Sequence, residues 1–250
     1  MAIGAPSMHR SANDMAAAVW VTRTDPFNRL TARHLRAAGY APLTEPVLRI
    51  VPVARPIPFA VPDALVFTSL NGIRLHRFAP GLAGLPVFAV GDRSARFAGT
   101  RGYRFVHSAG GAVDDLRRTV RETMWAGADI LHIGAAEPAG ALAEALCEDG
   151  FRARRLCVYD VIEAEPRDLE WIAGQLDEIG TILVHSPRAG RHIAGWLMEQ
   201  AADWRGEIVC ISPAAAAPFA PFVKAKIRVA PRPDEMSLLA PLLRAARRSQ

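Results

Sequence analysis

The sequence predicts an α/β protein made of two similar parallel-sheet α/β domains, one inserted in the other, joined by a two-stranded β-ladder. Three observations predict this fold. Short apolar runs alternate with amphipathic stretches along the chain, which is typical of parallel α/β units. One strand–helix plan occurs twice, and two extended segments flank one of its copies. A chain of 250 residues is long enough for two such domains.

The first copy of this plan begins near the amino terminus. Residues 19–22 (VWVT) are apolar and largely β-branched, and they predict a strand. Asp25 is then predicted to cap a helix, with Pro26 at its first helical position, because proline has no N–H group to lose there. Gly39 is predicted to end that helix. A similar strand and helix, again ending in a glycine, follow at residues 130–150.

A second pair of segments also shares one plan. Residues 64–69 (ALVFTS) and 181–186 (TILVHS) are both apolar strands that end in serine and precede a helix. Each is followed by another strand, at residues 87–91 in one case and 208–212 in the other. Two copies of one strand–helix plan predict two domains of similar fold.

Two extended segments are predicted to connect the domains. The first, residues 44–62, is rich in proline, which removes backbone donors and disfavours helix. The second is the apolar run 156–162, which is followed by Pro166. One crossing out and one crossing back imply that one domain is inserted in the other. The predicted boundaries are a disordered extension at 1–18, an outer domain at 19–43 and 165–250, crossings at 44–54 and 157–164, and an inserted domain at 55–156.

Composition and charge restrict the function classes. The chain has a net charge of +5 and a sequence pI near 9.6, which predicts an anionic ligand. Its arginines are scattered, so a polyanionic small molecule fits this pattern better than a nucleic acid does. No apolar run is long enough to cross a membrane, and the first residues do not resemble a signal peptide. We therefore expect a cytoplasmic protein that binds neither nucleic acid nor membrane.

Sequence motifs for metals and cofactors are missing. The seven histidines and three cysteines show no ligand spacing. No G-x-G-x-x-G follows a strand, and neither a phosphate-binding loop nor a nucleophile elbow occurs. The sequence therefore predicts no metal site and no cofactor.

Strand ends that lead directly into helices are the predicted ligand sites. Backbone N–H groups are unpaired at a helix N-terminus, and ligands of open α/β sheets gather at this edge. The residues at these junctions are Thr22, Arg23, Ser69, Gly91, Gly134, Ser186 and Ser212. The three serines are equally good helix caps, and Asn71 caps a helix as easily as it binds a ligand. From the sequence, both interpretations stay open.

Several segments together resemble the uroporphyrinogen-III synthase family. They are VWVTRT, LVFTSLNGIRLH, VFAVGDRSARFAGTRGYRF, LHIGAAEPAGALAEALCEDGFRARRLCVYDV and ILVHSPRAGRHIAGWL, in that order. The resemblance implies the same two-domain fold and a cofactor-free lyase reaction in porphyrin and haem biosynthesis. In that reaction hydroxymethylbilane, a linear tetrapyrrole with eight carboxylates, loses water and closes to uroporphyrinogen III with inversion of ring D. The resemblance also implies a cytoplasmic monomer that transiently contacts the preceding enzyme of the pathway.

The resemblance implies roles for particular side chains. Tyr159 stands at the family's tyrosine position and would donate a proton to the departing hydroxyl, although a tyrosine on an extended crossing also packs well between domains. Ser94 and Arg188 join the junction residues as substrate contacts. The full set of implied substrate-binding residues is Thr22, Arg23, Ser69, Asn71, Gly91, Ser94, Gly134, Ser186, Arg188 and Ser212.

One segment departs from the family pattern. Ala214 and Ala215 stand where the family often has threonines, so a hydroxyl there is lost or replaced by that of Ser212. Pro218 predicts that the helix in this segment is short or kinked. These changes keep two alternatives open. One is a non-catalytic two-domain binder of small polycarboxylate anions, and the other is a degenerate family member with a regulatory role.

Overall fold

Backbone contacts divide the chain into two units. The structure is a computed structural model that describes residues 18–53, 60–138 and 140–248. One unit combines Met1–Arg49 with Glu163–Gln250, and the other is Ile50–Ile162. We call the first the outer unit and the second the inserted unit, because the sequence of the second interrupts that of the first. The predicted extension lies outside the described residues except at residue 18, which begins the first strand.

Strands and helices alternate through most of the described chain. In chain order the elements are β1 (Ala18–Val21), α1 (Phe27–Ala37), β2 (Ala41–Leu43), β3 (Leu48–Pro52), β4 (Ala64–Phe67), α2 (Leu70–Leu75), β5 (Pro86–Ala89), α3 (Asp92–Thr100), β6 (Phe105–Ser108), α4 (Val113–Thr123), β7 (Asp129–Ala135), α5 (Leu142–Glu148), β8 (Arg152–Glu163), α6 (Glu170–Ala173), β9 (Ile179–Val184), α7 (Pro187–Ala201), β10 (Glu207–Cys210), α8 (Pro213–Ala216), β11 (Lys226–Val229) and α9 (Glu235–Arg248). None of the helices in this described part is both long and apolar enough to cross a bilayer.

The outer unit contains a five-stranded sheet in the order β11-β10-β9-β1-β2, in which neighbouring strands are parallel. Val21 lies opposite Leu183, which in turn lies opposite Val209. These three side chains are fully buried on one face, beneath residues of α1 and α9. Trp20 is also fully buried, and its ring meets the edge of the Trp196 ring from α7 at 5.4 Å between centroids. Helices pack on both faces of this sheet, and its central strands are accordingly apolar throughout.

The inserted unit contains a six-stranded sheet in the order β3-β8-β7-β4-β5-β6. The strands from β8 to β6 pair in parallel. Ala64 and Val66 of β4 belong to one buried cluster, whereas Leu65 and Phe67 belong to another. Alternate residues of one apolar strand therefore face two separate cores, because helices cover both faces of the sheet.

Strands β3 and β8 form the connection between the units. The N–H of Val53 donates to the carbonyl of Val158 at 3.0 Å. The N–H of Ala164 donates to the carbonyl of Val47 at 2.9 Å. The two strands therefore run in opposite directions, and each crosses the boundary between the units. The predicted fold class, two parallel-sheet α/β domains with a two-stranded ladder, is confirmed.

The start of α1 differs from the sequence prediction, whereas its end agrees. The helix begins at Phe27, and Pro26 occupies the preceding cap position, so the prediction of Asp25 as the cap is wrong. The physical reason is a turn in which the Thr24 carbonyl accepts the N–H of Phe27 at 3.1 Å. Gly39 follows the helix with φ of 83°, a left-handed conformation that favours glycine, and confirms the predicted end.

The segment around Pro218 also agrees with its prediction. Helix α8 has four residues and passes directly into a 3-10 turn, Ala217–Phe219. Proline cannot supply the N–H that a continuing α-helix needs at this point. The short helix expected from the sequence is confirmed.

Candidate functional site

The carboxyl edge of the sheet in the inserted unit brings Tyr159 and Ser69 together. Ser69 follows β4 and caps α2, because its Oγ accepts the N–H of Gly72 at 3.1 Å. Tyr159 lies in β8, and its hydroxyl oxygen is 2.9 Å from the same Oγ. Either hydroxyl can be the donor in this contact. The predicted catalytic tyrosine and one predicted junction serine thus form a hydrogen-bonded pair.

Burial keeps the Tyr159 phenol protonated. The residue is 6% exposed. Burial raises the pKa of its hydroxyl, and the hydrogen bond with Ser69 only partly offsets that shift. The carbonyl of Tyr159 accepts the N–H of Ala136 at 2.8 Å, which holds the backbone at this position. A neutral phenol in a fixed orientation can donate a proton to a ligand hydroxyl.

Gly72 lets α2 approach the sheet closely. A Cβ added at this residue would lie 2.8 Å from the carbonyl oxygen of Ile133 in β7. Phe67, the last residue of β4, pairs with Ile133, so the helix starts beside the neighbouring strand. The first turn of α2, which follows Ser69, is therefore held against the strand that pairs with β8.

A buried histidine lies on β7. The Nε2 of His132 is 3.1 Å from Oγ1 of Thr68, the residue before Ser69. Burial, followed by the positive charge of Arg155, lowers the pKa of His132 to about 4, so its ring is neutral near pH 7. Gly134, a predicted site residue, follows on the same strand, and a Cβ there would lie 3.6 Å from the His132 Nε2. The histidine is therefore an uncharged hydrogen-bonding group and does not titrate near neutrality.

Gly91 and Ser94 lie at the start of α3 in the inserted unit. Gly91 is the cap residue in extended backbone, and Ser94 is buried in the first turn. Strand β5 leads into this turn and pairs with β4, so the turn and Ser69 occupy the same edge of the sheet. Within the described ranges, no hydrogen bond links Ser94 to Tyr159 or Ser69.

The outer unit also carries serine caps at the carboxyl edge of its sheet. Ser186 accepts the N–H of Ala189 at 3.1 Å, and Ser212 accepts that of Ala215 at 3.3 Å. The capping interpretation of the three junction serines is therefore confirmed. Contact of these serines with a ligand stays a prediction.

Thr22 and Arg188 make contacts inside the outer unit. The Thr22 hydroxyl donates to the carbonyl of Leu183 at 2.6 Å, and the residue is 1% exposed. The Arg188 Nε donates to Glu163 at 3.3 Å. The threonine hydroxyl thus connects β1 to β9.

A largely buried charge cluster lies at the start of α9 in the outer unit. The carboxylate of Glu235 accepts hydrogen bonds from Arg23 and Thr31, and His185 Nε2 lies 3.4 Å from it. Burial alone raises the pKa of Glu235, but its interactions with His185, Arg23 and Thr31 outweigh burial and lower that pKa to about 2. Burial lowers the pKa of His185. Arg23, predicted to bind a substrate carboxylate, is thus ion-paired with a carboxylate of its own unit.

The sequence prediction misses Glu235 and Thr31. An acidic residue in the first turn of a helix is usually explained by the helix dipole, so Glu235 carries no distinctive local signal. Arg23 is 212 residues away in sequence and Thr31 is 204 residues away. Only the order of the strands brings these three side chains together.

Side chains that bind metals do not gather in the part of the chain that the structure describes. No group of three His, Cys, Asp or Glu residues there could hold a metal ion. The cysteines are separate, with Cys147 exposed, Cys157 partly buried and Cys210 buried.

Comparison with known proteins gives a family and a fold. A family model described as "Uroporphyrinogen-III synthase HemD" matches residues 30–240. The crystal structure of uroporphyrinogen-III synthetase from Helicobacter pylori has a TM-score of 0.61 at 14% identity, covering 92% of this chain and 100% of that one. A mutant uroporphyrinogen III synthase from the extremely thermophilic bacterium Thermus thermophilus has a TM-score of 0.55 at 17% identity, covering 94% and 100%. No curated protein sequence matches the chain. At these identities the two structures show a shared fold.

Proposed function

The chain belongs to the uroporphyrinogen-III synthase family, whose members are cyclising lyases of tetrapyrrole biosynthesis, and we propose that Tyr159 is the general acid of its reaction. That reaction closes hydroxymethylbilane to uroporphyrinogen III with loss of water and inversion of ring D. One observation carries the proposal: the Tyr159 hydroxyl lies 2.9 Å from Ser69 Oγ at the carboxyl edge of a parallel sheet. Ligands of open α/β sheets bind at this edge.

The first step needs a proton at the leaving hydroxyl. Tyr159 donates its phenolic proton to the oxygen of the ring-A hydroxymethyl group. The C–O bond breaks with both electrons going to oxygen, and water and an azafulvene cation result. Ring D attacks the cation through its substituted carbon, and the spiro intermediate fragments and recloses with ring D reversed. A ring carbon then loses a proton, which returns to the phenolate.

Ser69 supports the phenolate while the proton is away. Its Oγ accepts the N–H of Gly72, so its own proton is available to the Tyr159 oxygen as that oxygen becomes negative. A hydrogen bond to a charged group is worth about 1.5–3 kcal/mol. The same serine therefore starts the helix and lowers the free energy of the proton transfer.

The proposal includes substrate contacts in both units. In the inserted unit these are Asn71, Gly91, Ser94 and Gly134, together with the Ser69 hydroxyl. In the outer unit they are Ser186, Arg188 and Ser212. We assign Thr22 and Arg23 structural roles, because the Thr22 hydroxyl bonds to a buried carbonyl and Arg23 to Glu235.

We also propose that the enzyme is a cytoplasmic monomer that uses no cofactor and takes its substrate from the preceding enzyme of the pathway. The chemistry of the bilane supports direct transfer, because the free molecule closes without inversion in water. An enzyme that receives the bilane directly leaves less time for that side reaction.

Replacing Tyr159 with phenylalanine tests the assignment of the general acid. We expect Tyr159→Phe to slow formation of uroporphyrinogen III about 10²- to 10⁴-fold, the usual range for general acid catalysis. Isomer I should rise, because uncatalysed closure competes during slow turnover. The measurement is the rate with freshly made hydroxymethylbilane, with isomers III and I resolved after oxidation.

Tyr103→Phe is the matched control. Tyr103 is a buried tyrosine of the same unit, and its hydroxyl lies 2.7 Å from His76 Nδ1. Its replacement removes an equally buried hydroxyl and should lower the melting temperature without changing the isomer ratio. An unchanged rate and isomer ratio in Tyr159→Phe would remove Tyr159 from the mechanism. A wild-type protein that makes no isomer III would refute the proposed function itself.

A further inference from the structure

Helix α2 presents two enclosed polar atoms that have no partner. Asn71 and Arg74 are three residues apart, so they lie one above the other on one face of the helix. Gly72 and Ile73, between them, are buried. The Asn71 Oδ1 and the Arg74 Nε are both enclosed, and neither has a hydrogen-bond partner within the described ranges. Enclosed polar groups of folded proteins are nearly always hydrogen-bonded, so this pair needs an explanation.

Other partly buried arginines of the inserted unit are paired. Arg117 bonds to Asp149 at 2.5 and 2.7 Å, and Arg154 bonds to Asp129 at 3.0 and 3.1 Å. Arg74 is partly buried, yet no carboxylate of the described residues pairs with it. A partly buried guanidinium whose enclosed Nε has neither a counter-ion nor a hydrogen-bond partner is unfavourable.

The sequence around Arg74 offers no counter-ion either. Residues 69–108 contain six arginines and a single carboxylate, that of Asp92. The Asp92 Oδ1 accepts a hydrogen bond from the Ser108 Oγ at 2.6 Å. The missing counter-ion of Arg74 is therefore best supplied by a ligand.

We propose that Arg74, with Asn71, binds one carboxylate of the tetrapyrrole, an acetate or propionate side chain. A guanidinium can bind a carboxylate through two parallel hydrogen bonds, and the Asn71 amide NH2 group offers two further donors. The Asn71 Oδ1 only accepts, so its partner would be an N–H group of the same ligand, such as that of a pyrrole ring. Arg74 lies five residues after Ser69, or about 7.5 Å along the helix axis at 1.5 Å per residue. Ser69 and Arg74 therefore lie roughly one and a half turns apart along the same short helix. This inference rests on the proposed function.

Three variants test the site. Arg74→Met keeps most of the aliphatic stem and removes the charge. Asn71→Asp places a carboxylate three residues from Arg74 and supplies the missing counter-ion from within the helix. Arg96→Met is the matched control, because Arg96 is an exposed arginine of α3 in the same basic segment.

Binding and stability are measured together. Binding of uroporphyrin III, a stable eight-carboxylate macrocycle, is followed by quenching of tryptophan fluorescence. The KM for fresh hydroxymethylbilane is the second readout. We expect Arg74→Met and Asn71→Asp to weaken binding or raise KM about 10- to 100-fold, the range for a charge-assisted hydrogen bond. Their melting temperatures should stay equal or rise, because each variant removes an unpaired charge or pairs it. Arg96→Met should change neither affinity nor KM more than about twofold.

Two outcomes would overturn the inference. One is affinity and KM in Arg74→Met equal to those of the wild type. The other is a melting temperature that falls in Arg74→Met and Asn71→Asp alike, because that would show that Arg74 is a structural residue. Neither outcome bears on whether the wild type makes isomer III. Conversely, wild-type protein that binds uroporphyrin III through Arg74 but makes no isomer III would sustain this site and refute the proposed function.

Discussion

Ser69 in the inserted unit and Ser186 in the outer unit occupy matching positions and have different neighbours. Each follows a central strand and caps a helix by accepting the N–H three residues on, at 3.1 Å in both cases. The Ser69 hydroxyl also contacts Tyr159 at 2.9 Å. The residue before Ser186 is His185, which lies beside the largely buried Glu235 carboxylate. One local motif therefore starts a helix in both units, and the neighbouring strand or helix decides what chemistry stands beside it.

One arginine of each unit, Arg23 and Arg74, differs in its carboxylate partner. In the outer unit, Arg23 is paired with Glu235. In the inserted unit, Arg74 has no carboxylate partner among the described residues. We infer from this difference that Arg23 stabilises the outer unit, whereas Arg74 is available to a ligand. The following experiments test that division.

Breaking the Glu235 cluster should have the largest effect on stability. Glu235→Leu leaves Arg23 without its buried carboxylate, and removal of one partner from a buried ion pair costs about 3–5 kcal/mol. Equilibrium unfolding in urea, followed by tryptophan emission, measures this loss. Trp20, Trp171, Trp196 and Trp204 all lie in the outer unit, so the signal reports mainly on it.

An exposed pair provides the control for Glu235. Asp203 pairs with Lys224 at 2.7 Å on the surface, and Asp203→Leu should leave the unfolding curve unchanged. The free energy of unfolding measured as a function of pH, below pH 4.5, gives a second check. Because the pKa of Glu235 is lowered to about 2, its contribution is complete above pH 4.5 and is lost as the pH falls towards 2. If wild type and Glu235→Leu lost the same free energy of unfolding between pH 4.5 and pH 2, the stabilising role of Glu235 would be contradicted.

Glycines near the start of α2 and α7 should give the next largest effect. A Cβ at residue 190 would lie 2.5 Å from the carbonyl oxygen of Ala215. A Cβ at residue 72 would lie 2.8 Å from the carbonyl oxygen of Ile133. We expect Gly190→Ala and Gly72→Ala to lower the free energy of unfolding by about 1–3 kcal/mol, as overpacking usually does. Gly190→Ala should lower the free energy of unfolding more than Gly72→Ala does, because its added Cβ would lie closer to a carbonyl oxygen.

Two helical glycines in open space are the matched controls. Nothing lies within 4 Å of a Cβ built at Gly195 of α7 or at Gly99 of α3. Gly195→Ala and Gly99→Ala should raise stability by about 0.5–1 kcal/mol, because alanine is the better helix former. If all four variants were stabilised, the close approach of both helices to their neighbours would be wrong.

The serine caps should show the smallest effect on stability and the clearest contrast in catalysis. Ser69→Ala and Ser186→Ala each remove a capping hydroxyl, which costs about 0.5–2 kcal/mol. Ser69→Ala also removes the hydrogen bond to Tyr159, which is worth about 1.5–3 kcal/mol to the phenolate, so its kcat should fall about 10- to 100-fold. Urea unfolding and single-turnover assays measure the two quantities. An equal fall in kcat for Ser69→Ala and Ser186→Ala would contradict the proposal that Ser69, and not Ser186, supports the catalytic tyrosine.

Several site features can be predicted from residues alone, and others cannot. Ser69, Ser186 and Ser212 are predictable as caps because a serine after an apolar strand is a local signal. The sequence misplaces the helix start near Pro26, because the turn at Thr24 depends on backbone geometry that the residue types do not specify.

The candidate site shows the same limit. A family resemblance points to Tyr159, but nothing in the sequence anticipates its contact with Ser69. The capping alternative for Asn71 is wrong, because Ser69 caps α2 and Asn71 lies inside that helix. Its role as a ligand residue stays a prediction, and nothing local distinguishes Arg74 from the other arginines.

The sequence by itself determined the fold class, the strand–helix junctions and the glycines that end α1 and α5, because these follow from periodicity and turn chemistry within a few residues. Only the tertiary structure decided which side chains meet. Tyr159 reaches Ser69 across 90 residues, and Glu235 reaches Arg23 across 212. Such contacts depend on strand order, register and the tilt of a helix on its sheet. Those properties are set by packing of the whole unit, and no short stretch of sequence carries them.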